Sequence, residues 1–305
     1  MTTKPKIAFI GLGVMGAPMA AHLGRAGYHV TGYNRTQARA QNWLDRFAHE
    51  DLPLATAPTP ALATQGADIV ITCVGNDDDL AEVTTGPDGA FSSMKAGTLF
   101  IDHTTVSANK ARELDRIARQ SGFDALDAPI SGGQAGAENG KLAIMCGGSE
   151  AAFARALPVF QAYGARMVHV GPAGAGQTTK MANQICIAGI LGGLSEAIRL
   201  ANAAGLDSDR VLEAISGGAA QSWQMENRWT TMARDEFDFG FAVDWMRKDL
   251  GYALEEVRRL GLGAPVTALI DQFYADIQAM GGGRQDTSSL IRRLPEGDIA
   301  EGTGQ

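Results

Sequence analysis

Cysteine is scarce in this 305-residue chain: Cys73, Cys146 and Cys186 lie far apart and show no metal-ligand spacing. Each sits in an apolar stretch, so three buried free thiols in a reducing compartment are expected, not a disulfide framework. The five histidines are equally scattered, leaving no His/Cys/carboxylate cluster for a metal site such as zinc. An excess of basic residues is missing too. The formal net charge of -8 speaks against nucleic acid or an anionic membrane surface as a partner. No apolar run approaches the ~20 residues of a membrane span. The longest candidate, residues 185–194, is interrupted by Gly189, Gly192 and Gly193. The opening residues lack the apolar segment of a signal peptide, so the expected location is the cytoplasm.

What remains is a globular composition, 45% hydrophobic and 20% charged with 38 glycines, long enough for two domains. Strand-like and helix-like segments alternate from the start. Residues 6–10 read as a strand, 17–26 as a helix stopped by Gly27, and 28–33 as a second strand. Further strands are expected at 67–74, 98–102, 123–127, 142–146 and 168–170, with helices at 108–121 and 151–163. Such alternation predicts an α/β fold with a doubly wound, mostly parallel sheet of the Rossmann type. Beyond Gly171 only helical periodicity follows. One long helix is expected over 177–204, closed by Gly205, then helices at 208–216 (capped by Asp207), 243–260 and 265–280. The boundary falls near residue 171, giving a dinucleotide-binding domain over 1–171 and an all-α domain over 172–305, joined by the long helix. The polar tail after Pro295 is expected to fray.

Gly11-Leu12-Gly13-Val14-Met15-Gly16 stands where a dinucleotide fingerprint must, after a strand and opening a helix. Gly11 permits the tight turn, Gly13 lets the backbone approach a pyrophosphate, and Gly16 allows close helix–strand packing. The second strand ends in Asn34-Arg35-Thr36, where an NAD-preferring site would place a carboxylate for the ribose hydroxyl. Asn34 has no charge to repel a 2′-phosphate, and Arg35 and Thr36 can bind one, so NADP is expected over NAD. Asp127-Ala128-Pro129-Ile130-Ser131-Gly132-Gly133 follows a strand; a hydroxyl and two glycine N–H groups there suit a substrate carboxylate, although an ordinary turn reads the same way. Residues 174–184 open the long helix and place Lys180, Asn183 and Gln184 on one face. Of seven lysines, only Lys180 and Lys248 follow Lys141. A helix-borne lysine can serve as general acid to a carbonyl oxygen, or simply be solvated.

Together, residues 11–19, 127–133, 174–184 and 248–250 resemble the β-hydroxyacid dehydrogenase family, which includes 3-hydroxyisobutyrate dehydrogenases and tartronate, glyoxylate and succinic semialdehyde reductases. The resemblance covers nearly the whole chain. It implies that Val74 and Gly75 line the cofactor and that Thr105 lies near the nicotinamide ribose. It also implies that Ser131, Gly132 and Gly133 hold the substrate carboxylate and that Lys180 transfers the proton. Asn183 or Gln184 would orient the lysine or the substrate, and Lys248 would reach the cofactor from the helical domain. His103 stands where a small residue is expected, and could alter the pocket or point outward. The implied activity is NADP(H)-dependent interconversion of a short carboxylated semialdehyde and its hydroxyacid, by hydride transfer with a lysine general acid/base. Trp223, Phe241 and Trp245 are candidates for the pocket wall. A homodimer or homotetramer is expected by the same analogy.

Alternatives are less well matched. No tyrosine has a lysine four residues later, as a short-chain dehydrogenase requires. The helical domain is too short for 6-phosphogluconate dehydrogenase. An imine reductase-like enzyme shares the fold but usually has another residue at the position of Lys180. A non-catalytic dinucleotide sensor would bind cofactor without turning over any semialdehyde or hydroxyacid.

Overall fold

The computed structural model describes residues 4–295; the expected fraying of the tail after Pro295 lies outside them. The chain divides into two compact units between Lys180 and Met181. The first unit is an α/β Rossmann fold. Its elements run β1 (Ile7–Ile10), α1 (Gly16–Arg25), β2 (Val30–Tyr33), α2 (Gln37–Phe47), β3 (Leu54–Thr56) and α3 (Pro60–Thr64). There follow β4 (Ile69–Thr72), α4 (Asp77–Thr85), β5 (Leu99–Asp102), α5 (Ala108–Gln120) and β6 (Asp124–Asp127). The unit ends with β7 (Ile130–Ser131), α6 (Gly133–Glu138), β8 (Leu142–Gly148), α7 (Glu150–Phe160) and β9 (Gly164–Gly171).

The strands form one sheet in the order β3-β2-β1-β4-β5-β6-β8-β7, with β9 paired to β8. Strands β1 to β6 are parallel along it, and the order reverses at β1, which pairs with both β2 and β4. Ligands of such sheets lie outside the carboxyl ends of the strands at that reversal, where the Gly11–Gly16 turn emerges. The far end departs from the expected parallel run: β8 is antiparallel to both β6 and β7. The short β7 turns straight back into β8 through α6, too little chain for the dozen residues of a parallel crossover. Strands β1, β4 and β5 are buried along their whole length, as apolar runs such as Ile7-Ala8-Phe9-Ile10 require between two helical layers. One apolar cluster packs each face, around Phe9, Met19, Leu126 and Phe160 on one side and Ile10, Val70, Leu80 and Phe100 on the other.

Several elements were hidden in the sequence. The polar segment Gly75–Asp78 reads as a turn, yet the Asn76 side chain accepts a hydrogen bond from the Asp79 N–H at 2.8 Å and caps α4. Three acidic residues in the first turn of that helix complement its dipole. Strand β9 is also longer than the three residues expected.

The long helix α8 (Ala175–Ala203) leads into the second unit. It is followed by α9 (Ser208–Ile215), α10 (Trp223–Ala233), α11 (Val243–Arg259) and α12 (Pro265–Ala279), with no strand among the described residues of this unit. Trp229, Met246, Leu250 and Tyr274 centre its core, to which α8 contributes Ala188, Leu191, Leu194 and Ile198. Gly189, Gly192 and Gly193 do not break α8, so by length and composition it is apolar enough to cross a membrane, contrary to the sequence expectation. Its buried side is that of a core helix, which passes the same test. A second correction concerns the thiols. Cys146 is buried and Cys73 half-buried, but Cys186 is exposed, because it lies on the side of α8 turned away from that core.

Candidate active site

The glycine turn after β1 is shaped as a cradle. Gly11 has φ +102°, and a Cβ there would lie 2.2 Å from the Cys73 carbonyl oxygen. A Cβ on Gly16 would lie 1.9 Å from the Gly11 carbonyl, so α1 starts closer to the strand than any side chain allows. Around Gly13 nothing lies within 4 Å of a Cβ position, which leaves the backbone open to a pyrophosphate at the positive end of α1. These features fit a dinucleotide. Val14 is exposed, Met15 is packed against the core, and the Leu12 side chain is buried.

Asn34 is occupied in holding this cradle together. Its Oδ1 accepts from the Leu12 N–H at 3.2 Å and its Nδ2 donates to the Thr36 carbonyl at 3.1 Å. Arg35 is 68% exposed, donates to Asp79 at 2.8 Å and lies 3.8 Å from Glu82. Thr36 sits at the start of α2, whose first turn holds no acidic residue.

The loops after β4 and β5 are tied to each other. The Val74 N–H donates to Thr104 Oγ1 at 3.0 Å. Asp102 Oδ1 accepts from Thr72 Oγ1 at 2.7 Å and from the Thr104 N–H at 3.0 Å, while its buried Oδ2 has no hydrogen-bond partner. Burial pushes the Asp102 carboxyl up to about 7, against the pull of the Thr104 and Thr72 bonds. Gly75 and Thr105 are half-buried in these loops.

His103 neither enters a pocket nor points outward. It is 2% exposed, with Nδ1 at 2.6 Å from the Ala128 carbonyl and Nε2 at 2.8 Å from the Tyr163 hydroxyl. A carbonyl only accepts, so Nδ1 bears the proton, and the neutral ring accepts the Tyr163 O–H at Nε2. Burial lowers its pKa to about 4.

Asp127 caps the start of α8: its carboxylate accepts the Gly174 N–H at 2.8 Å and the Gln177 N–H at 2.9 Å. Burial still outweighs these bonds and raises its carboxyl to about 6. Gly176 makes the approach possible, since a Cβ there would lie 2.4 Å from the Asp127 carbonyl oxygen. Gln177 is fully buried, with Oε1 accepting from the Val106 N–H at 3.1 Å and Nε2 donating to the Thr104 carbonyl at 2.7 Å. Three residues further along, Lys180 is 8% exposed. Ser131 ends β7 half-exposed, and Gly132 and Gly133 follow, exposed and with φ +131° and +61°, conformations that favour glycine.

The remaining residues belong to the helical unit and form a chain of contacts of their own. Asn183 Nδ2 donates to Gln184 Oε1 at 2.9 Å, and Gln184 Nε2 donates to Asp249 Oδ2 at 2.7 Å. Lys248 Nζ lies 3.2 Å from Asp249 Oδ1, and 5.6 and 5.4 Å from the ring centres of Trp245 and Tyr252. Gln184 is buried with both ends of its amide bonded, whereas Asn183 is half-buried. Trp223 and Trp245 are exposed, and Phe241 packs against the helical core.

Sequence reasoning gave no role to Gln177 and Asp249, although both lie inside the motifs that it singled out. A polar side chain in the first turn of an apolar helix was the available signal for Gln177.

Comparison with known proteins agrees with this geometry. Residues 6–171 match the model of the NAD binding domain of 6-phosphogluconate dehydrogenase. Residues 174–294 match the model described as NAD-binding of NADP-dependent 3-hydroxyisobutyrate dehydrogenase. An uncharacterized oxidoreductase of Shewanella frigidimarina is 56% identical over 95% of this chain and 98% of its own. The 2-hydroxy-3-oxopropionate reductase of Escherichia coli is 36% identical over 95% and 97%. The solved structure of Mycobacterium tuberculosis 3-hydroxyisobutyrate dehydrogenase with L-serine superposes with a TM-score of 0.84, at 33% identity, covering 94% of this chain and 98% of that one. With a dinucleotide cradle, a helical second unit and relatives matched nearly end to end, the chain belongs to the 3-hydroxyisobutyrate dehydrogenase family of NAD(P)-dependent oxidoreductases.

Proposed function

We propose that the protein interconverts a short carboxylated semialdehyde and its hydroxyacid with NADP(H), using Lys180 as general acid in reduction and general base in oxidation. The observation that supports this most is Lys180 itself, a lysine 8% exposed in a helix whose first turn is bonded to the Thr104–Val106 loop. An ammonium held at a fixed place on a helix can stabilise a reacting oxygen as it develops negative charge. A bound dinucleotide supplies the hydride. As the substrate oxygen gains charge, Lys180 Nζ donates a proton to it; in the reverse direction the neutral amine accepts the hydroxyl proton.

The Ser131 hydroxyl and the Gly132 and Gly133 N–H groups hold the substrate carboxylate in this reading. Carboxylate and carbonyl are then separated by only a few carbons. The name of the Escherichia coli relative, a reductase of 2-hydroxy-3-oxopropionate, supports that size class. Asn183, rather than the fully bonded Gln184, orients the substrate. Arg35 and Thr36 receive the 2′-phosphate.

The test is steady-state reduction of glyoxylate, tartronate semialdehyde and succinic semialdehyde against propionaldehyde and butyraldehyde, with wild type and Lys180→Ala. The acids are expected to exceed the uncharged aldehydes by about tenfold or more in kcat/KM, because an uncharged aldehyde lacks the charge-assisted bonds from Ser131, Gly132 and Gly133. Lys180→Ala is expected to lose at least ~10²-fold in kcat with NADPH affinity nearly unchanged. Equal rates on acids and aldehydes would remove the role of Ser131–Gly133, and near-normal turnover of the variant would remove that of Lys180.

A further inference from the structure

Gln177 has no part in the mechanism above, yet its side chain is the most committed polar group at the start of α8. Its carboxamide is fully buried and matched at both ends, to the Thr104 carbonyl and the Val106 N–H, two backbone groups that flank Thr105. The helix start does not need this link. Asp127 already takes the Gly174 and Gln177 backbone N–H groups. What the Gln177 side chain adds is a connection between that helix and the loop after β5. Thr104 extends the connection, because its hydroxyl accepts the Val74 N–H and its own N–H is held by Asp102.

We propose that Gln177 is a positioning residue for the reaction: its carboxamide locks the loop of Thr105 in register with the helix of Lys180. The proposal rests on the reading in which Thr105 lies against the cofactor and Lys180 transfers the proton. A cofactor held by one loop and a proton donor held by one helix face the same carbonyl only if loop and helix keep a fixed spacing, and a 1 Å error there can cost ~10²-fold in rate. A carboxamide meets both backbone groups at this position without depending on pH. An ionised carboxylate accepts from the Val106 N–H but repels the Thr104 carbonyl, and an apolar chain leaves both groups buried and unpaired.

Gln177→Met and Gln177→Glu test it, each assayed for kcat, for KM of substrate and for NADPH affinity by the fluorescence of the bound nicotinamide. Gln177→Met is expected to lose roughly 10- to 100-fold in kcat per folded molecule, counted by circular dichroism, with a smaller loss of NADPH affinity. Gln177→Glu is expected to lose as much at alkaline pH and to recover on acidification, because the protonated carboxyl again donates to Thr104 and accepts from Val106. Rates are taken relative to wild type at each pH, since the Asp102 and Asp127 carboxyls on the neighbouring strand ends titrate as well. A wild-type kcat in Gln177→Met, a loss that only tracks the fraction unfolded, or a flat Glu-to-wild-type ratio from pH 9 to pH 6 overturns the proposal. Lys180→Ala, run alongside, separates it from the reading that it rests on. Normal turnover there defeats the lysine mechanism, whereas an inactive Lys180→Ala beside a fully active Gln177→Met defeats the clamp alone.

Discussion

Arg35 and Asp79 meet at 2.8 Å on the surface, and it is this guanidinium that the proposed function assigns to a 2′-phosphate. Exposed ion pairs of this kind are worth ~0–1 kcal/mol, so Asp79 does not prevent the guanidinium from turning to a doubly charged phosphate. Arg35→Ala is expected to raise the KM for NADPH about tenfold or more and to leave that for NADH nearly unchanged. Equal losses with both cofactors would show that Arg35 does not read the phosphate. Asn34 was legible in the sequence as the absence of a carboxylate, but not as a brace. Its bond to the Leu12 N–H joins residues 22 positions apart, and nothing local announces it. The same holds for His103, which in the sequence could alter the pocket or point outward and is a buried link to Tyr163, 60 positions away.

Among the elements, α8 is the one whose two sides differ most in meaning. The buried side is explained by the helical core. The other side shows Ala182, Cys186, Gly193, Glu196 and Leu200 to solvent, with Leu200 73% exposed, a largely apolar and small-residue face carrying one carboxylate on a 29-residue helix. Small residues let a second helix approach closely, and an exposed apolar face of this length suits an interface between copies of the chain. The protein is therefore expected to run as a dimer or tetramer in light scattering coupled to size exclusion, and Gly193→Trp to shift it toward the monomer. A monomeric wild type at micromolar concentration would refute this. Periodicity showed that α8 exists and roughly where it ends, because spacing along a helix is local. It did not show which side was covered.

On the scale of the whole molecule, three buried groups near one end of the sheet set opposing pH dependences. The Asp102 and Asp127 carboxyls stand at about 7 and 6, above the ordinary carboxylate value, so between about pH 4 and those values the folded chain binds more protons than the unfolded one. Their contribution is most favourable below about pH 4 and is lost as pH rises toward 7, by roughly 1.4 kcal/mol for each tenfold difference in proton affinity between the folded and unfolded chain. His103, lowered to about 4, works the other way: its contribution is present above about pH 6.5 and lost as pH falls toward 4. Asp102→Asn removes one of the falling limbs. Its melting temperature relative to wild type is expected to rise steadily from pH 4 to pH 8, as measured by thermal unfolding. A difference independent of pH would show that burial does not raise the Asp102 carboxyl.

Features that depend on neighbours along the chain were readable before any fold was known. The Gly11–Gly16 turn between strand and helix, the alternation up to Gly171, the purely helical remainder and the spacing of Lys180, Asn183 and Gln184 are set by steric limits and periodicity over a few residues. Long-range packing set the others: the reversal of β8, the inward turn of His103, the Asp127 cap on α8, the Gln177 side-chain bonds to the loop after β5, and the Asn183–Gln184–Asp249–Lys248 chain. These are contacts between segments up to 73 positions apart. Most of the side-chain contacts exist because a buried polar group is stabilised by a partner wherever the fold brings one, and a single sequence does not state which partner that is.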